Sequence, residues 1–195
     1  MKTVDLKITG TSPLLMHNSR LADPLDPATK ALASITSIRK KTEETHHAAA
    51  KAEFIGGLYH NDVNGVHLPG INIFACIVQG ARLSKNGMKV ERGVMVAPDA
   101  FECPLIFADD KMTPEELFEN GSYTSRMSVK VGQSRVMRTR PIFKDWALVA
   151  SFTVDEEQIN VEDFVTHAET AGRYVGLGDF RKGGGFGRFD VDLIS

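Results

Sequence analysis

Cysteine is scarce in this sequence: Cys76 and Cys103 are the only two in 195 residues. Neither has a His or Cys at zinc-ligand spacing, which argues against a zinc module and a disulfide framework. Both sit in apolar runs, Phe74-Ala75-Cys76-Ile77-Val78 and Cys103-Pro104-Leu105-Ile106-Phe107, and read as small buried thiols. No apolar run approaches the ~20 residues of a membrane helix. Residues 1–10 alternate charged and apolar side chains and contain no secretory core. The expectation is a soluble, cytoplasmic chain with no membrane partner. Net charge is also missing: 23 Lys and Arg face 25 Asp and Glu, a formal −2. That excludes a uniformly basic, histone-like protein. It does not exclude a nucleic-acid binder, because opposite patches cancel in a sum.

What is present is ordinary globular material, 42% hydrophobic and 25% charged. Val4, Leu6 and Ile8 alternate with polar residues over 2–9, predicting a half-buried strand. Residues 10–26 read as loop. Asp26-Pro27 is an N-cap followed by proline at the first helical position, opening a helix over 28–39; a second is expected over 43–55. Residues 58–68 suggest a short hairpin around Asn64-Gly65. Ile73, Phe74, Ile77, Val78 and Ala81 share one face of a helix over 71–83. Weak strands are expected at 88–96 and 102–108. Thr113-Pro114-Glu115-Glu116 starts a short helix. Trp146, Leu148, Ala150, Phe152 and Val154 alternate in a strand, a helix follows over 161–173, and a last strand runs over 186–193.

The best-patterned elements run β, α, β, β, α, β. With strands at 2–9, 102–108, 146–154 and 186–193, this predicts an α+β, ferredoxin-like core. A helical insertion (11–69) follows strand 1, and a second insertion (109–144), carrying a protruding β-hairpin, separates strands 2 and 3. No repeat or linker interrupts the chain, so a single domain over 1–195 is expected.

Charge is segregated along the chain. Between 122 and 144 the bases are Arg126, Lys130, Arg135, Arg138, Arg140 and Lys144, with no acid. Residues 153–170 reverse this, with six acids and no Lys or Arg. The basic stretch is extended and polar, with Val129, Val131 and Val136 as sparse apolar points and Gly132-Gln133 as its expected turn. Arg126, Ser128 and Lys130 would share one face of the first arm, and Arg138 and Arg140 a face of the second. Guanidinium groups bind phosphate through paired planar hydrogen bonds. The alternative is a solvated edge hairpin protected by its charge.

A glycine cluster fills 172–189, where Arg173, Arg181, Lys182 and Arg188 face the single acid Asp179. Glycines let backbone approach a ligand closely, and Tyr174, Phe180 and Phe186 offer faces for base stacking. A dinucleotide-binding loop should follow a strand and open a helix; this one follows a helix and opens a strand. A plain flexible loop is the other reading. The helix followed by Gly176-Leu177-Gly178 and then Gly185-Phe186-Gly187, feeding a last strand, resembles the RAMP superfamily, the RRM-like RNA-binding proteins of CRISPR effector complexes. The spacing between the glycine pairs is one residue longer than the usual family pattern. The resemblance implies a single RRM-like domain that polymerises along single-stranded nucleic acid, with residues 11–69 as the helical insertion and 122–140 as a thumb. A phage or mobile-element single-strand binder could share that architecture.

The histidines point to no paired catalytic site. His46 and His47 lie on a helix about 100° apart. His46 with Ala50 and Glu53, and His47 with Lys51, read as an exposed helix face. The resemblance makes His17 the one catalytic candidate, as a general base in a metal-independent endoribonuclease, with no Ser, Tyr or Lys partner placed beside it. No P-loop, nucleophile elbow or paired acids at metal spacing are seen. The expectation is therefore a non-enzyme without cofactor or metal: a sequence-independent single-strand DNA or RNA binder that forms homo-oligomers. Arg126, Lys130, Arg135, Arg138 and Arg140 would contact phosphates. Arg173, Arg181, Lys182, Gly184, Gly185 and Arg188 would line a groove, with Phe180 and Phe186 stacking. A protein-assembly role, with the basic arm docking an acidic partner, is the third reading.

Overall fold

In the computed structural model, which describes residues 1–194 apart from the side chain of Val131, the described residues form ten strands and six helices of seven residues or more, with shorter helical turns at Ser19–Ala22, Pro98–Ala100 and Arg181–Gly184. In order these are β1 (Lys2–Gly10), β2 (Leu14–Leu15), α1 (Pro27–Thr36), α2 (Glu43–Gly57), β3 (His60–Asn61), β4 (Gly65–Pro69), α3 (Gly70–Leu83) and α4 (Gly87–Gly93). There follow β5 (Val94–Val96), β6 (Glu102–Pro104), α5 (Pro114–Asn120), β7 (Thr124–Val131), β8 (Ser134–Phe143), β9 (Ala147–Val154), α6 (Val161–Tyr174) and β10 (Phe189–Leu193). The architecture is α+β with antiparallel sheets. Two compact units form from interleaved segments: 1–14, 60–110 and 144–195 make one, and 15–59 with 111–143 the other. Ser195 and the side chain of Val131, both part of the sequence expectations, lie outside the described residues.

The first unit holds a four-stranded antiparallel sheet in the order β10-β1-β9-β5. The alternation read in the sequence sets its two faces. Val4, Leu6 and Ile8 of β1, Leu148, Ala150, Phe152 and Val154 of β9, and Phe189 and Val191 of β10 are buried together with Ile73 and Ile77 of α3 and Phe164 and Ala168 of α6. Phe152 and Phe164 meet edge to face at 5.3 Å, a geometry that adds to their area burial. Helix α3 packs on α6. A Cβ at Gly80 would come within 2.7 Å of Ala171 Cβ, so small residues are required at that crossing.

Two strand expectations are corrected here. The alternation of Met88 and Val90 suggests a strand, yet Gly87–Gly93 is helical and only Val94–Val96 is extended. A strand would put Met88 and Val90 on one face; instead Val90 is fully buried and Met88 is exposed, because this turn of helix packs on α3. The strand beside β9 is β5, with Val94 opposite Val154 and Val96 opposite Phe152. Residues 102–104 of the expected 102–108 strand pair with β4 in another sheet, ordered β3-β4-β6. Pro104 has no N–H to give a ladder and so suits that edge position; Ile106 makes one isolated bridge to Ala147.

In the second unit, α1 packs on α2, and α2 on β8 and α5. Helix α5 opens at the Thr113-Pro114 start read from sequence, and the structure completes it as a capping box, with Thr113 Oγ1 accepting from the Glu116 N–H and Glu116 accepting from the Thr113 N–H. Strands β7 and β8 form the hairpin, from Thr124 opposite Pro141 to Val131 opposite Ser134, leaving Gly132-Gln133 as the two-residue turn. Gly132 has φ +59°, the left-handed value that a turn with Gly at its first central position needs. Among the described residues no helix is long and apolar enough to cross a membrane.

Candidate nucleic-acid interface

The β7–β8 register decides which bases share a face. Residues opposite one another in an antiparallel pair point to the same side, and the side alternates along each strand. Arg126 lies opposite Thr139 and Lys130 opposite Arg135. Arg126, Lys130 and Arg135 therefore share one face, and all three are exposed. Arg138 lies opposite Met127 and Arg140 opposite Ser125, on the other face. Lys130 and Arg135 are like charges directly across a pair, an arrangement that costs free energy unless an anion lies between or beside them. No acid between 122 and 144 relieves it.

Arg138 is held within the unit. Its Nη1 donates to Glu53 Oε1 at 3.0 Å, and the Thr139 N–H donates to Glu53 Oε2 at 2.8 Å. Glu53 is 8% exposed and Ala50 7%, which corrects the exposed helix face expected for these positions; only His46 of that trio is exposed. The cause is tertiary. The Thr139 N–H of β8 is buried against α2, and a buried amide needs an acceptor. A lone acid among Ala50, Ala52 and Phe54 is the signal in the sequence. Arg140 is half-buried.

The glycine loop belongs to the first unit and joins α6 to β10. Its residues divide into those that build the loop and those that face solvent. Gly187, at φ +68°, donates to Pro13 O and accepts from the Leu177 N–H, and a Cβ there would lie 1.8 Å from Leu177 O. Gly185, at φ +70°, has open space around it, whereas a Cβ at Gly184 would meet the Phe180 ring at 2.3 Å. Ser12 locks the loop: its hydroxyl donates to Gly185 O and accepts from the Arg188 N–H, both at 2.8 Å. Nothing local in the sequence marks Ser12 for a contact this remote in the chain.

Arg181 Nη1 donates to Gly176 O at 3.2 Å and Arg188 Nη2 to Arg181 O at 3.5 Å, so these two cations brace the loop they charge. Arg173 and Lys182 are exposed. Phe180 is half exposed at φ +51°, with its ring centroid 6.1 Å from that of Phe186. Cys76 Sγ donates to Gly176 O at 3.2 Å. Burial pushes its thiol up to about 12, although Arg181 and Arg188 favour the thiolate. Cys76 is thus a packing residue, not a nucleophile.

The sheet face turned away from α3 and α6 carries Thr3, Asp5, Lys7 and Thr9 of β1, Val149 and Ser151 of β9, and Asp190 and Asp192 of β10. It has three carboxylates for one lysine and no aromatic ring. Base stacking on aromatics is how RRM sheets hold RNA, and this face offers none.

His17 is exposed between β2 and a short 3-10 turn. His67 is buried, with Nδ1 3.0 Å from Gly65 O and Nε2 3.9 Å from Glu102 Oε1. Hydrogen bonds from Asn61 and Asn64 hold the Glu102 carboxyl below the usual range. These contacts tie the β3–β4 hairpin to β6. Among the described residues no group of three or more His, Cys, Asp or Glu could hold a metal ion. A scan against protein-family models finds no match, and a search of curated proteins finds no significant match either.

Proposed function

We propose that the protein binds single-stranded nucleic acid without sequence preference and self-associates along it, acting as a binder and not as an enzyme. The observation that carries this is the hairpin face on which Arg126, Lys130 and Arg135 stand exposed with no acid in either strand. A groove or ribbon of unpaired cations follows a phosphate backbone, and aromatic side chains add sequence-tolerant stacking. Phe180, Phe186 and Lys182 in the glycine loop supply the second set of contacts. Gly184 and Gly185 let backbone come close to the strand, and Arg173, Arg181 and Arg188 contribute charge.

The sheet order β10-β1-β9-β5, with α3 and α6 as its crossover helices, supports a ferredoxin-like reading in which the fourth, first, third and second strands lie side by side. Together with the glycine loop between the last helix and last strand, it supports kinship with the RAMP superfamily. Because the open sheet face is acidic and lacks aromatics, binding is assigned to the hairpin and the loop. Segregated charge favours head-to-tail association, acidic surface against basic hairpin.

Fluorescence anisotropy with labelled oligonucleotides, DNA and RNA of mixed sequence, tests the reading across a salt series. Each neutralised phosphate contributes ~0.7 to the slope of log K against log salt on single strands, so the hairpin face alone gives ~2 and five contacts ~3.5. Absence of salt-sensitive binding to every oligonucleotide overturns the proposal. A raised 260/280 nm absorbance ratio in protein purified at low salt is the quick companion measurement.

A further inference from the structure

Helix α2, helix α5 and the start of β7 enclose an open cleft of about 890 Å³ in the second unit. Its lining includes Lys41, His46, His47, Phe118 and Arg126. Arg126 belongs both to this cleft and to the exposed basic face of the hairpin, so the cationic ribbon of Lys130 and Arg135 runs into it. His47 is exposed, yet it is braced by the buried Phe118 ring, 5.3 Å away at 70°. Phe54 supports Phe118 in turn at 5.5 Å. An imidazole held in place without being covered is a stacking platform of the kind that binds unpaired bases.

Two carboxylates, Glu43 and Glu119, share the cleft. Glu119 is neutralised by Lys51 at 2.8 Å, and that hydrogen bond holds its carboxyl below the usual range. Lys41 gives one hydrogen bond to Thr36 O, leaving two of its three donors. The free cations, Lys41 and Arg126, thus outnumber Glu43, and the cleft combines positive charge with a ring.

We propose that this cleft holds one nucleotide of the bound single strand, its base stacked on His47 and its flanking phosphates on Lys41 and Arg126. The inference rests on the single-strand-binding reading and locates where the strand leaves the hairpin. Stacking and phosphate contacts leave different signatures in a salt series. With an oligo-dT probe, His47→Ala lowers affinity about ten-fold with an unchanged salt slope, and His47→Tyr restores it. Lys41→Ala lowers the slope by ~0.7. Unchanged thermal melting shows that each exposed-site variant is folded. Wild-type binding that is weakened by Lys130→Ala and Arg135→Ala but not by His47→Ala or Lys41→Ala overturns the cleft and leaves the broader reading standing. No binding by the wild-type protein overturns both. A 4-thiouridine oligonucleotide that cross-links to His47 or Phe118 upholds the cleft directly.

Discussion

Phe180 holds a backbone conformation that costs a side-chain-bearing residue roughly 1–2 kcal/mol, while half of its surface is exposed. Its ring packs against Phe186 on one side and leaves the other half of its surface for a ligand. Asn tolerates the same φ. Phe180→Asn should change stability by less than ~1 kcal/mol in urea titrations while weakening oligonucleotide binding at least five-fold in anisotropy. Of the glycines that follow, Gly185 and Gly187 are unequal. Gly187→Ala drives a methyl into Leu177 O and should leave little folded protein, seen as lost cooperative melting. Gly185→Ala meets open space and costs only the φ penalty, about 1 kcal/mol. The thiols give a pH signature. Cys76 has its folded pKa raised from 9.0 to about 12 and Cys103 from 9.0 to about 11, both chiefly by burial. Well below pH 9 both thiols are neutral in the folded and unfolded states. Above it the unfolded chain ionises first, so stability falls as pH rises through this window. The urea midpoint should drop between pH 8 and 10.5, and less so in Cys76→Ala.

Among the elements, the contact that most defines the hairpin is Glu53 from α2. One carboxylate satisfies the Thr139 N–H of β8 and pairs with Arg138. Glu53→Ala strands a buried amide and a guanidinium, costing about 2–3 kcal/mol by chemical denaturation. Hydrogen exchange should quicken along β8 and remain slow in β9, which belongs to the other unit. Arg138→Ala should likewise lower stability more than affinity. Lys130→Ala and Arg135→Ala should do the reverse, since both side chains are exposed and their removal also relieves like-charge repulsion.

For the molecule as a whole, a net charge of −2 conceals a basic hairpin and an acidic stretch from 153 to 170. Complementary surfaces on successive copies attract over about 10 Å at 0.1 M salt and far less at 1 M. Sedimentation velocity should show mass rising with oligonucleotide length at low salt and reverting to protomer at 1 M. A protomer at every salt concentration, with and without long oligonucleotides, would remove self-association from the proposed function.

Much of this was legible in sequence because the signals are local. Alternation set β1 and β9, apolar spacing set α3, an N-cap followed by proline set α5, and a glycine at a two-residue turn set the hairpin. The separation of charge is likewise a property of the chain. Other features needed partners distant in sequence. Whether residues 94–96 or 102–104 lie beside β9 depended on strand competition, and short apolar runs fit either place. That Glu53 is buried, that Ser12 locks the glycine loop, and that Arg126 shares a face with Lys130 and Arg135 but not with Arg138 followed from packing and register. Periodicity specifies which residues of one element share a side. Only tertiary structure brings two elements together, because cross-element contacts are chosen by the burial and hydrogen bonding of the whole fold.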